Sequence, residues 1–403
     1  MLDKANLHYS LKNIPIPSPT THLRGVIHST ETFLQNARWK CYHHLKPPTQ
    51  NKAPPINTYG FKTPRNAPQV SELIPFEKDL NDFIASFKYS NYKSNFQKKL
   101  YADVKMINNS DKLFIQADKT SNMYKMDPDQ YNKLLNQNIT SNYKKADPNT
   151  ATQINRQGQT LTAKLKIDNR VEIPANKECY ITIKDHKPGF PHDIKCRLIN
   201  PCKSNIGKIT KQILDKTNCH IKTVLDLELL ENTASAIKWF ENIKDKTKKQ
   251  LIQIDIVDYY PSIDEQLFKK AINFAEKTTQ LSELEKELLH NARLSLLYNN
   301  GTQWTKNSGL FDVTMGSYDG AQITDLVGLL ILKTLDEKVP EISFALYRDD
   351  GIGVHKKLSP KKLEEIKKKL HKAFKELGLK ITVETGLHKM DFLDVTLNIM
   401  SYS

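Results

Sequence analysis

Two apolar runs, 342–346 and 352–354, flank the segment Tyr347-Arg348-Asp349-Asp350-Gly351. Apolar residues, a short polar tip and apolar residues again read as strand, tight turn, strand. That reading puts two adjacent carboxylates at the tip of a hairpin with buried flanks. Like charges crowded at a turn call for a counter-charge, and a divalent cation is the natural one, because hard cations take carboxylate oxygens. An Asp-Asp pair alone is more often a solvated turn, so the weighing depends on a further acid elsewhere in the chain.

Such an acid ends the run Leu251-Ile252-Gln253-Ile254-Asp255-Ile256, which follows the basic loop 244–249 and reads as a strand. Ser262 and Glu265 have capping-box spacing, and Leu267, Phe268, Ala271 and Phe274 recur at helical spacing. Asp255 is therefore expected near the end of a buried strand, just before a helix. An acid there and an acid pair on a hairpin can converge on two metal ions about 3.5–4 Å apart. That arrangement activates a 3′-hydroxyl and stabilises a leaving pyrophosphate in nucleotidyl transfer.

The ordered set of motifs resembles the reverse transcriptases. Asp255 with Tyr260 is similar to their first palm motif, and Tyr347-Arg348-Asp349-Asp350 to their Tyr-x-Asp-Asp motif. Between them, Met315-Gly316-Ser317-Tyr318-Asp319-Gly320-Ala321 looks like the glycine-bearing motif that opens a palm helix, and Phe392-Leu393-Asp394-Val395 resembles the primer-gripping hairpin. Ile254-Asp255-Ile256-Val257, Ala117-Asp118-Lys119 and Lys184-Asp185-His186-Lys187-Pro188 resemble the Penelope-like group of animal mobile elements. The resemblance spans roughly residues 110–400. It implies an α+β fold, with the fingers and the ferredoxin-like palm sheet of right-hand polymerases. It also implies two Mg²⁺ or Mn²⁺ ions, a dNTP substrate, and an RNA or DNA template with a primer.

Roles carry over residue by residue. Asp255, Asp349 and Asp350 are the implied catalytic acids and metal ligands, Asp349 directly and Asp350 less so, and the Ile256 carbonyl completes one shell. Asp258 falls on the opposite face from Asp255 in a regular strand; on the resemblance it meets the triphosphate through its backbone. Tyr260 matches the bulky gate beneath the sugar, which favours deoxynucleotides, or is a packed strand-end ring. Arg197 with Lys184 or Lys187 is the triphosphate clamp, since a guanidinium holds phosphate oxygens in a fork and Lys adds point charge. Lys195 is an alternative, and so is a solvated hairpin with ordinary surface charges. Gly316 and Gly320 let backbone approach the template and the incoming pair; Met315 stands where many relatives carry Gln. Tyr347, Phe392 and Leu393 are template and primer contacts. Lys389 is placed to protonate pyrophosphate, with Lys380 competing for that role.

A formal charge of +15, from 60 Lys and Arg against 45 Asp and Glu, favours a polyanionic partner. It also fits a Lys- and Asn-rich coding bias. The five cysteines, at 41, 179, 196, 202 and 219, have no paired zinc spacing and no even disulfide framework. A reduced intracellular setting is expected, nuclear or cytoplasmic. No apolar run reaches the roughly 18 residues of a membrane span, so no membrane partner is expected.

Along the chain, residues 1–75 read as a Pro-rich, loosely ordered extension with one helical piece over 31–44. Residues 76–249 read as a helical N-terminal region and fingers, with helix over 76–145, and 250–403 as the palm with its primer-grip hairpin, in the coarse order strand, helices, helix, hairpin, helix, strand, strand. Aromatics mixed with Lys over 87–101 suit either base stacking or an apolar helix face. Ser359, Pro360 and Gly378 bracket a helix whose stripe is Leu363, Ile366, Leu370, Ala373, Phe374 and Leu377. Relatives continue into a helical thumb and often an endonuclease. Neither is expected here, so a partner or missing downstream domains would complete the machine. Two other classes remain open: an RNA-directed RNA polymerase, and a catalytically silent nucleic-acid-binding remnant.

Overall fold

The structure is a computed structural model and describes residues 3–8, 19–45, 67–88, 95–168, 177–201, 206–314 and 316–399. Cys202, Met315 and most of the prolines of the N-terminal extension lie outside these residues. In chain order, β1 (Asp3–Lys4) and the helices α1 (Pro19–Leu45), α2 (Ile74–Ser86) and α3 (Asn95–Asn108) come first. The hairpin β2 (Leu113–Gln116) and β3 (Met123–Met126) leads to α4 (Pro128–Asn142), β4 (Tyr143–Lys145) and α5 (Thr150–Lys164). Next come the strands β5 (Tyr180–Ile183) and β6 (Cys196–Ile199), then α6 (Ile206–Val224), α7 (Thr233–Glu241) and β7 (Lys249–Ile256). After these stand α8 (Tyr259–Ser262), α9 (Glu265–Glu276), α10 (Glu283–Asn291) and the hairpin β8 (Leu297–Asn299) and β9 (Thr302–Lys306). The chain continues through α11 (Gly320–Lys338), β10 (Ser343–Tyr347), β11 (Asp350–Lys356), α12 (Pro360–Glu376), β12 (Ile381–Leu387), β13 (Lys389–Phe392) and β14 (Val395–Asn398).

The described residues form two compact units, one within 1–139 and 181–198, the other within 140–180 and 199–403. This differs from the expected boundaries at 75 and 249. The reason is packing: α5 and α6 lie against α10 and α11, burying Ile209, Ile213, Leu214 and Ile221. They therefore belong with the palm strands that follow them.

In the first unit, β1, β3 and β2 form an antiparallel sheet. Its core gathers Ile115, Ala117, Tyr124, Met126 and Ile183. A parallel bridge from Ala117 to Ile183 joins the hairpin to β5. Residues 113–126 fall within a stretch expected to be helical. The two strands are only four residues each, too short for alternation to show, and pairing supplies what pattern lacks. The expected helix over 31–44 begins earlier, at Pro19, a residue suited to a first turn.

The second unit is built on an antiparallel sheet of order β10-β11-β7-β12. In the central strand β7, Ile252, Ile254 and Ile256 are buried on one face while Asp255 is exposed on the other. Toward the Lys249 end, Leu251, Ile352 and Val354 on the Asp255 face pack beneath Trp239, Met390, Phe392 and Leu397. α7 and the β13–β14 hairpin thus cover part of that face. The apolar helix α11 packs against α6, α9, α12 and β10, with Ile323, Leu326, Val327, Leu329, Ile331 and Leu332 all buried. Such all-round burial marks a central helix.

Two local expectations are corrected. Ser262 does not cap the helix after β7; it ends the short helix α8, and Asp264 caps α9 by accepting the Leu267 N–H at 2.7 Å. The stretch before α11, expected to be helical, contains the hairpin β8–β9. Its loop is Asn300-Gly301, both at positive φ (48° and 71°), the pairing that two-residue hairpin turns favour.

Gly353 gives a packing test of the palm sheet. A Cβ there would stand 2.8 Å from the buried Phe344 ring and 3.1 Å from Ile342. Gly353→Ala is expected to destabilise the chain by about 1–3 kcal/mol, read as a lower denaturant midpoint at unchanged slope. An unchanged midpoint would mean the sheet-to-ring packing is looser than described.

Candidate active site

The acids are brought together by register. Asp350 on β11 lies directly opposite Asp255 on β7, and opposite Tyr347 on β10. Residues directly opposed across antiparallel strands share a face, with Cβ atoms about 4.5–5.5 Å apart. Asp349 sits in the two-residue turn Arg348-Asp349, and its carbonyl accepts the Ile256 N–H at 2.9 Å. That bond stitches the turn to the end of β7. Asp255 and Asp349 are exposed and Asp350 is half-buried. Thr382 faces Asp255 from β12.

Facing carboxylates destabilise a strand pair unless something offsets their repulsion. The donors are hard oxygens, the chemistry of Mg²⁺ or Mn²⁺ sites. Among the described residues, no group of three His, Cys, Asp or Glu side chains is gathered closely enough to hold an ion as it stands. The Ile256 side chain is buried, so only its carbonyl is available as a ligand.

Arg348, which the motif leaves unspecified, holds the turn in place. It adopts a left-handed φ of 54°. Its guanidinium donates to the Ala321 carbonyl, to Thr324 Oγ1 at 3.2 Å and to the Asp325 carboxylate, all in the first two turns of α11. Burial raises the Asp325 carboxyl above its ordinary range, and Arg348 offsets part of that. The Tyr259 hydroxyl donates to the Thr324 carbonyl at 2.8 Å, so α8 is tied to the same stretch.

β7 ends at Ile256, and Asp258, at φ 48°, starts α8. Asp258 therefore does not lie on the opposite face of the strand, because the backbone has already turned. Tyr259 is buried and Tyr260 half-buried, their rings edge to face at 6.4 Å. Lys306 braces this segment, donating to the Pro261 carbonyl at 3.1 Å while pairing with Asp312 at 2.8 Å.

Gly316 and Gly320 admit close backbone approach, and the atoms that approach are the chain's own. A Cβ at Gly316 would stand 2.6 Å from the Asn200 carbonyl, and one at Gly320 would stand 2.5 Å from the Thr314 carbonyl. Just before α11, the buried Asp319 pairs with the buried Arg293 and accepts from Thr210. Sequence reasoning passed over Arg348, Arg293, Thr210 and Lys306. Asp319 was visible within its motif, but none of its partners stands within a hundred residues except Arg293.

Phe392 is buried in the palm core and Leu393, at φ 53°, is half-buried at the β13–β14 turn. Lys389 is exposed on β13. Lys380 is exposed, and its carbonyl accepts the Val257 N–H at 2.9 Å. Tyr347 is half-buried against the core that Phe392 joins.

The other candidates stand on β5, β6 and their connection, in the first unit. Arg197 lies 3.2 Å from the Asp118 carboxylate. Lys195 lies 3.6 Å from Asp193, and the half-buried Lys184 donates its N–H to the Lys195 carbonyl at 2.8 Å. Lys187 is exposed. Asp185 accepts from Thr120, Asn122 and Tyr124 at 2.6–2.9 Å. Burial alone would raise the Asp185 carboxyl, but these donors outweigh it and hold it below its usual range. Burial, together with the Asp185 contact, pushes the Tyr124 hydroxyl up to about 12.

No helix among the described residues is long and apolar enough to cross a membrane. No family profile matches the sequence, and no curated protein matches it. Solved structures do match in fold. Apo telomerase from Candida tropicalis superposes with a TM-score of 0.53 at 10% identity, over 96% of this chain and 67% of that one. Telomerase from Candida albicans, solved in complex with a fragment of telomeric RNA, gives 0.51 at 11% identity, over 97% and 74%. The Candida tropicalis enzyme truncated of its C-terminal domain gives 0.50 at 12% identity, over 79% and 71%. The chain has the α+β polymerase fold shared with these telomerases.

Proposed function

We propose that this chain is a reverse transcriptase core, adding deoxynucleotides to a primer 3′-hydroxyl on an RNA or DNA template. The observation that carries the reading is the register that sets Asp350 opposite Asp255, with Asp349 on the adjoining turn, within a polymerase fold. Kinship with the Penelope-like group rests on the sequence motifs alone.

In this reading Asp255 and Asp349 hold a pair of Mg²⁺ or Mn²⁺ ions, with Asp350 and the Ile256 carbonyl assisting. Such ions, when bound, supply charge stabilisation to the attacking and leaving oxygens. The protein orients the rest. Tyr260, at the start of α8, presents its ring to the sugar and crowds out a 2′-hydroxyl. Arg197, Lys184 and Lys187 meet the triphosphate, with Asp258 offering backbone. Gly316 and Gly320 let the segment before α11 close onto the Asn200 and Thr314 carbonyls, which shapes the backbone offered to the template. Tyr347, Phe392 and Leu393 shape the primer side, where Phe392 acts as a core anchor for the hairpin backbone. Lys389 or Lys380 returns a proton to pyrophosphate.

Asp349→Asn is expected to reduce primer extension roughly 1,000-fold, equivalent to about 4 kcal/mol of lost transition-state stabilisation. Template affinity should stay near wild type, because it rests on cationic contacts. Wild-type extension by this variant would remove the catalytic assignment. No extension by the wild type, with template binding intact, would favour the silent remnant.

Tyr260→Ala is expected to raise ribonucleotide over deoxynucleotide incorporation in single-nucleotide assays. Unchanged discrimination, with ribonucleotides preferred by the wild type, would make the chain an RNA polymerase.

Arg348→Met and Asp325→Asn should each cost about 1.5–3 kcal/mol, the range for hydrogen bonds to charged groups. The double variant should cost less than their sum. Additive losses in a denaturation cycle would mean that the guanidinium does not anchor the turn on α11.

A further inference from the structure

The β7–β11 ladder carries a like-charge pair at each end. Asp255 faces Asp350 at one; at the other Lys249 faces Lys356, and the Lys357 N–H donates to the Lys248 carbonyl at 3.1 Å. Lys249 and Asp255 lie on the same face of β7, about 20 Å apart at roughly 3.3 Å per residue. Lys361 and Lys362 follow at the start of α12. Five of these six lysines are exposed and Lys249 is half-buried. None pairs with a carboxylate among the described residues, although the same chain pairs Lys222, Lys286, Lys338 and Lys369 elsewhere. The acids close to them in sequence, Asp245, Glu364 and Glu365, form no ion pair with them.

We propose that this end of the palm sheet is a second nucleic-acid contact, which grips the phosphate backbone of a duplex away from the acids. It goes beyond the polymerase reading, since it needs no chemistry at Asp349.

Three features select the occupant. Six ammonium groups without carboxylate partners call for a polyanion rather than a single ion, and a duplex presents one charge per about 1.7 Å. No large apolar side chain is exposed in the patch, whereas membrane-surface segments bury an apolar face and protein interfaces have an apolar centre. Single strands are held by stacking on aromatics; here the neighbouring aromatic Phe240 lies beneath the Lys246 ammonium at 5.3 Å. The contact is also separate from the acids. Glu384 faces Gln253 midway along β7, and Gln253 donates to the carbonyl of the exposed Asp391, so negative charge interrupts the path.

The test uses the full chain and a blunt DNA duplex of two helical turns, which offers no recessed 3′ end. The variant carries Lys248→Gln, Lys249→Gln, Lys356→Gln and Lys357→Gln. Affinity is measured across salt concentrations. The wild type should bind with log K falling linearly in log salt, and the variant's slope should be shallower by about 3–4, near 0.9 per lost contact. At low salt its affinity should fall at least roughly tenfold. Four Lys→Arg changes at the same positions should restore slope and affinity, which separates charge from misfolding. Equal slopes for wild type and the Gln variant overturn the proposal. Loss of binding to phosphatidylserine vesicles with duplex binding retained also overturns it, in favour of a membrane. A wild type that grips the duplex through these lysines yet extends no primer overturns the polymerase reading and supports this one.

Discussion

The site depends on one register, the pairing of β7 with β11 that sets Asp255 opposite Asp350. Side chains alternate along a strand, so a slip of one residue would send Asp350 into the helix-packed face and bring Gly351 out. Burial holds the register. Ile252, Ile254 and Ile256 face the helices while Leu251, Ile352 and Val354 lie under the β13–β14 hairpin and Trp239. Both faces are therefore specified, and the repulsive acid pair is held by packing at a distance from it.

The turn is fixed by polar contacts instead. The Asp349 carbonyl is bonded to Ile256, and Arg348 reaches down to three acceptors on α11. α11 is itself seated closely: a Cβ at Gly328 would come within 3.1 Å of both Leu229 and Leu346. Its N-terminal end is clamped by the buried pair Asp319–Arg293. A buried pair of this kind contributes little net stability but is costly to break. It fixes where α11 begins, and with it where Arg348 finds its partners.

Much of the palm was legible in the sequence because its signals are local. The 342–354 hairpin shows in two apolar runs and a polar tip, and α12 shows in its stripe and its Pro360 and Gly378 punctuation. What escaped was long-range or very short. β2 and β3 are four residues each and gain their identity from pairing and from Ile183. α5 and α6 read as part of the fingers, and packing on α10 and α11 places them with the palm. Lys306, Arg293 and Arg348 carry no local mark of their roles, since each acts through a partner elsewhere in the chain. The Asn300-Gly301 turn is a readable local signal inside a stretch whose surroundings read as helical.

The central claim is that the facing acids form a repulsive pair suited to a divalent cation. The direct test is the melting of wild type and Asp350→Asn, first in chelator and then in Mg²⁺. In chelator, removing one of two opposed charges should stabilise the variant by about 0.2–1 kcal/mol. Added Mg²⁺ should raise the wild-type melting temperature, as any ligand of the native state does, and raise the variant's less, since an assisting oxygen is lost. A variant that is less stable in chelator, with both proteins responding equally to Mg²⁺, would contradict the account.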